Sequence, residues 1–117
     1  MDDSRPIFQQ IAELIADDIV AGVLEEDTQI PSTNEFAAFH RINPATAGKG
    51  VNLLIEGGIL YKRRGIGMFV APGARAKLIA ERQEQFRAHY IAPLLDEAHK
   101  LGISPERVAA MILGRDS

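Results

Sequence analysis

Asn43-Pro44 restricts this chain more than any other pair of residues in it. A residue that precedes proline is pushed out of the helical region, so no helix runs on through Asn43. The same pair makes a good helix start. The asparagine side chain takes an orphan amide as cap, and a proline at the first position loses nothing by lacking an N–H. Gly57-Gly58 ends whatever begins there. The centre of the chain is therefore a sharp turn followed by a short helix from about Asn43 to Glu56.

A second short helix comes before the turn. Ser32-Thr33-Asn34-Glu35 has the form of a capping box, in which the serine oxygen and the glutamate satisfy each other's orphan amides. Phe36, Ala37 and Phe39 supply its apolar contacts, and it cannot pass Ile42. In the helix after the turn, Ala47, Val51, Leu54 and Ile55 share one face. Ala45, Lys49, Asn52 and Glu56 share another. Two short helices across a tight turn, the second with a polar free face, form a helix-turn-helix. Gly48 and Gly50 are costly there, ~1 kcal/mol each against alanine. They imply close approach of another surface, either a ligand such as DNA or a packed neighbour helix.

On the N-terminal side, Ile7, Ile11, Leu14, Ile15 and Ile19 recur at helical steps, Pro6 suits the first turn and Gly22 offers a left-handed stop. Asp17 and Asp18 near its end are expected in solvent. On the C-terminal side, Ile59-Leu60-Tyr61-Lys62 and Met68-Phe69-Val70-Ala71 are β-prone runs around Arg63-Arg64-Gly65-Ile66-Gly67, a hairpin with glycines at its tip. Pro72-Gly73 marks a junction. Beyond it an apolar stripe from Leu78 to Leu101 predicts one long helix, kinked or interrupted at Pro93 and ended by Gly102. Ser104-Pro105 caps a last helix carrying Val108, Met111 and Ile112, with Ile103 placed to staple against Val108.

The expected fold is mainly α with a small β-hairpin. A winged helix-turn-helix occupies residues 1–72, and a short two-helix C-terminal dimerisation segment occupies residues 73–117. The stripe residues Phe86, Tyr90, Ile91, Leu94, Leu95 and Ala98 need covering. A second copy of the chain covers them economically; folding back onto the winged unit is the alternative.

Charge sharpens the functional reading. The net charge is −3, but residues 1–39 carry nine acids against one base, and residues 40–77 carry seven bases against one acid. Phosphate attraction depends on such a local patch rather than on the chain average. The candidate DNA contacts are Ser32, Thr33 and Asn34 at an amide end, Arg41 in the turn, Asn43, Ala45, Thr46 and Lys49 on the reading helix, and Arg63, Arg64 and Gly65 at the hairpin tip. The expected partner is double-stranded DNA. The rival is a winged helix used as a protein-interaction module, which would not need the basic block.

Other classes find little support. The chain has no cysteine, so disulfides and thiol chemistry are absent, and nothing resembles a nucleophile elbow or phosphate loop. No enzyme activity, cofactor or metal site is expected. Of His89, Asp96 and His99, only the last two share a helix face. No stretch is long enough to span a bilayer, and Met1-Asp2-Asp3 does not read as a signal peptide, which suits a cytoplasmic protein.

The runs Ile30-Pro31-Ser32-Thr33-Asn34-Glu35-Phe36-Ala37, Asn43-Pro44-Ala45-Thr46, Glu56-Gly57-Gly58-Ile59-Leu60 and Arg64-Gly65-Ile66-Gly67-Met68-Phe69-Val70, with Pro6-Ile7-Phe8-Gln9-Gln10-Ile11 before them, resemble the GntR family of bacterial regulators. The Asn43-Pro44 start and the short tail look like its YtrA subfamily. The resemblance implies a homodimeric repressor on a palindromic operator. It leaves a small-molecule effector possible, though no residue pattern indicates one. Asn34 and Gly48 stand where many members carry DNA-contacting arginines, which implies that specificity leans on Asn34, Thr46, Lys49 and groove shape. Met68 replaces the usual threonine.

Overall fold

A computed structural model describes residues 4–115; the Met1-Asp2-Asp3 reading lies outside the described residues. The chain divides into two compact units, one up to Ile79 and one from Ala80. The sequence alone places that boundary at 72/73. Ala74 and Leu78, in the first turns of the helix after Pro72-Gly73, are instead buried in the core of the first unit.

The first unit begins with α1 (Ile7–Val20), α2 (Thr33–His40) and α3 (Pro44–Glu56), followed by β1 (Leu60–Arg63) and β2 (Gly67–Val70). The buried stripe of α1 runs through Ile11, Ile15 and Ile19 and widens to Ala12 and Ala16. Ile7 and Leu14, expected on that face, are on its far flank and remain exposed. The capping box forms as expected: Ser32 Oγ accepts from the Glu35 N–H at 3.1 Å, and the Ser32 N–H reaches Glu35 Oε1 at 3.4 Å. Ala37 is buried beneath α2, whereas Phe39 is 83% exposed and gives the core no contact, contrary to expectation. Asn43 caps α3 by accepting from the Ala45 N–H at 2.8 Å.

The two glycines of α3 have different reasons. A Cβ on Gly50 would lie 2.7 Å from the Phe8 carbonyl oxygen and 2.9 Å from Ile11, so α1 crosses α3 against bare backbone there. A Cβ on Gly48 would meet only Thr33 Cγ2, at an ordinary 3.6 Å. Core packing explains Gly50 and leaves Gly48 unexplained.

The hairpin is antiparallel, with Leu60 opposite Val70 and Arg63 opposite Gly67, so the strands extend one residue further toward the tip than the β-prone runs indicate. Gly65 and Gly67 both adopt positive φ, as the tip requires. A segment absent from the sequence reading docks along β2. The Asp27 N–H donates to the Val70 carbonyl at 2.7 Å, the Val70 N–H to Thr28 at 3.0 Å, and the Ile30 N–H to Met68 at 2.9 Å. Gln29 Nε2 then reaches the Ile66 carbonyl at the tip, over the Gly67 position where no side chain fits. The Pro72-Gly73 junction is pinned: the Gly73 N–H donates to Glu26 Oε1 at 2.9 Å.

The second unit holds the remainder of α4 (Ala74–Phe86), a π turn (Arg87–Ile91), α5 (Ala92–Lys100) and α6 (Pro105–Ile112). Pro93 neither breaks nor ends the helical path. The wider turn falls on the residues whose carbonyls the proline ring would crowd, and the Ala92 N–H bonds back to the Arg87 carbonyl. Ser104 caps α6 by accepting from the Arg107 N–H. Ala98 and Val108 are buried within this unit, while Phe86, Tyr90, Leu94 and Leu95 are exposed. Ala98 therefore packs inside its own unit and is withdrawn from the set of residues that await a partner. No helix among the described residues is long and apolar enough to cross a membrane.

Candidate nucleic-acid interface

Three elements converge on one face of the first unit. Ser32 and Thr33 at the start of α2, Asn52 on α3, and Lys62 and Gly67 on the hairpin line one cavity of 360 Å³. Helix α2 opens its amide end there, and the carboxylate of Glu35 satisfies one amide without closing the rest. Ala45 and Asn52 are exposed along α3, Thr46 is half-buried, and Asn34 is exposed at the start of α2. Asn43 spends its side-chain oxygen on the cap, which leaves its side-chain NH2 group to donate.

The structure reassigns several of the bases. Arg75 Nε donates to the Val20 carbonyl at the end of α1 at 2.9 Å, and the Lys77 ammonium donates to the Gly57 carbonyl at the end of α3. Cations at helix C-termini oppose the local dipole charge, so these two groups serve the fold. Lys49 does not extend freely from the reading helix: its Nζ lies 4.1 Å from the centroid of the Phe8 ring on α1. Arg63 is drawn back over Phe69, at 5.4 Å. Strand alternation explains this, since Arg63 and Tyr61 stand on one face of β1 and Lys62 on the other. Tyr61 stacks on Phe69, and its hydroxyl donates to Asp27 Oδ1 at 3.0 Å. Partial burial first, then that hydrogen bond, holds the Tyr61 hydroxyl above its ordinary pKa, so it remains a donor.

Lys62 and Arg64 are exposed and have no ion-pair partner among the described residues. Gly65, at φ +75°, lets the main chain at the tip lie open. Arg41 ends α2 in the left-handed conformation, at φ +55°, where glycine or asparagine is at home and arginine is strained. Strain kept at such a position points to function. Arg41→Gly is therefore expected to raise the stability of the first unit by ~0.5–1 kcal/mol in thermal unfolding while weakening DNA binding. Equal or better binding by that variant would remove Arg41 from the interface.

The sequence puts Asn52 on the polar face of α3 without naming it as a contact, and it gives no place at this site to Gln29 or Lys62, nor to Phe8 as the partner of Lys49. Alternation along β1 was the signal available for Lys62. The pairing of Gln29 with the hairpin left none. Among the described residues no cluster of three or more acidic or histidine side chains suits a metal ion.

No family model matches the chain. Among solved structures, it is similar to a transcriptional regulator of the GntR family from Bacteroides thetaiotaomicron, at 35% identity and a TM-score of 0.79 over 92% of this chain and 94% of that one. It is similar to the DNA-binding domain of AraR in complex with operator ORX1, at 33% identity and a TM-score of 0.55 over 57% of this chain and 81% of that one. Among curated proteins, the transcriptional repressor YtrA of Bacillus subtilis is 26% identical over 105 residues, 90% of this chain and 80% of YtrA. The regulator YurK from the same organism is 33% identical over 78 residues, and there the chain spans 32% of the relative's length.

Proposed function

The chain belongs to the GntR family of transcriptional regulators, and we propose that it binds double-stranded DNA as a homodimer and represses transcription from a palindromic operator. The observation that carries this reading is the convergence of the α2 amide end, the exposed side of α3 and the hairpin around Lys62 on one face. The operator complex of the AraR domain supports DNA as the partner, and the name of YtrA supports repression and a place in the YtrA-like subfamily. Family membership makes the chain a regulator rather than an enzyme.

The contacts divide by kind. Ser32, Thr33 and Asn34 hold a phosphate at the start of α2, and Lys62 and Arg64 clamp the backbone beside it. Ala45, Thr46 and Asn52 face base edges, with Gly48 letting α3 sit deep in the major groove. Lys49 leaves the Phe8 ring to bind, giving up an interaction of ~0.5–1 kcal/mol. The winged unit thus reads DNA, and the C-terminal unit pairs two copies so that two weak readers act together.

Selection of bound sequences from a random duplex pool tests the proposal. An enriched inverted repeat is expected. A single unpaired half-site would overturn the symmetric dimer, and no enrichment would overturn sequence-specific binding. Arg64→Ala is expected to weaken the selected duplex ~10-fold, since it removes one exposed cation from each protomer, with an unchanged melting temperature. Unchanged affinity would exclude the hairpin tip.

A further inference from the structure

Apart from Ser32, Thr33 and Asn34, the acidic N-terminal third has no part in the proposed DNA contacts, and its charge opposes phosphate. Between α1 and α2, with Val51 of α3 beneath, lies a groove of 370 Å³. Buried Ile30 and Val51 form its floor. Aromatic rings edge it: His40 lies 4.3 Å from Phe36 and 5.0 Å from Phe39, centroid to centroid, and Phe39 is left 83% exposed. Asp18 and Glu35 also line the groove, and no lysine or arginine does. The Asp18 carboxylate has no ion-pair partner among the described residues, and Glu35 is engaged only by the 3.4 Å bond from the Ser32 N–H.

We propose that this groove binds a small lipophilic organic cation. An apolar concavity of a few hundred Å³ with a few polar groups is ligand-sized. Aromatic faces attract a cation, and two carboxylates with no lysine or arginine in the groove supply its counter-charge. The excess of acids in the described part of the N-terminal third (seven against one base in residues 4–39) favours cations and repels anions. The exposed Phe39, useless to the core, becomes one jaw of the site. A neutral ligand would leave the Asp18 carboxylate without a role, and an anion would meet repulsion from both carboxylates.

Equilibrium dialysis of the full chain against tetraphenylphosphonium and tetraphenylborate tests the site, because the two ions share a shape and differ in sign. Saturable binding of one cation per chain is expected, with no retention of the anion. Phe39→Ala, at an exposed position that leaves folding intact, is expected to weaken the cation ~3-fold through loss of one aromatic face. Asp18→Asn combined with Glu35→Gln is expected to weaken it ~10-fold, and glutamine keeps the capping box. Equal retention of the anion, unchanged affinity in either variant, or no cation bound at ~1 mM, the limit of weak association, would overturn the proposal.

Discussion

Gly50→Ala is expected to lower the melting temperature of the first unit by ~10–20 °C. The added Cβ would meet the Phe8 carbonyl oxygen at 2.7 Å and Ile11 at 2.9 Å, and a backbone oxygen held in α1 has no rotamer by which to move aside. Prying α1 from α3 costs ~3 kcal/mol or more, against a helix-propensity gain of ~1 kcal/mol. Gly48→Ala carries the same gain without the clash, because Thr33 lies at 3.6 Å. It is expected to raise the melting temperature by a few degrees and to weaken DNA binding several-fold, because its methyl group would stand between α3 and the groove. Thermal unfolding of the two variants side by side checks the account. Equal melting temperatures would contradict the packing described for α1 and α3.

Leu94→Asp combined with Leu95→Asp is expected to abolish dimerisation. Both leucines are exposed on α5, beside Phe86 and the 66%-exposed Tyr90, so the charges are tolerated in one chain and intolerable in an apolar interface. Burying four such side chains contributes on the order of 6–10 kcal/mol before the entropy of association is subtracted, and two buried aspartates without partners erase that gain. Sedimentation should show the mass of two chains for the wild type at micromolar concentration and of one chain for the variant, with unchanged helicity. A wild type that sediments as one chain would remove the dimer from the proposal.

Much of this was legible because it is local. The capping box at Ser32 and Glu35, the cap at Asn43, the positive φ of Gly65 and Gly67 and the start of α6 at Ser104 each depend on residues a few positions apart. What escaped depends on distant pairings. Residues 27–30 carry no strand pattern, and they dock on β2 only because Leu60, Val70 and Ile30 share one core. Gly48 and Gly50 look alike until α1 is seen to cross only the second. Arg75 and Lys77 counted as part of a basic patch, but each reaches back across the fold to a helix end. At the candidate site the helices and hairpin were legible in the sequence, but it could not tell that Lys49 and Arg63 have aromatic partners while Lys62 faces the cavity.

The bases left exposed at the interface without an aromatic partner, Arg41, Lys62 and Arg64, amount to about three phosphate contacts per protomer and six per dimer. Each neutralised phosphate releases counterions, so the logarithm of the affinity should fall linearly with the logarithm of salt concentration. The central claim is most directly tested by that plot, measured with the selected duplex between ~50 and ~200 mM salt. A slope of about −5 is predicted, with Arg64→Ala shallower by ~2 because each protomer loses one contact. A flat plot would contradict the account.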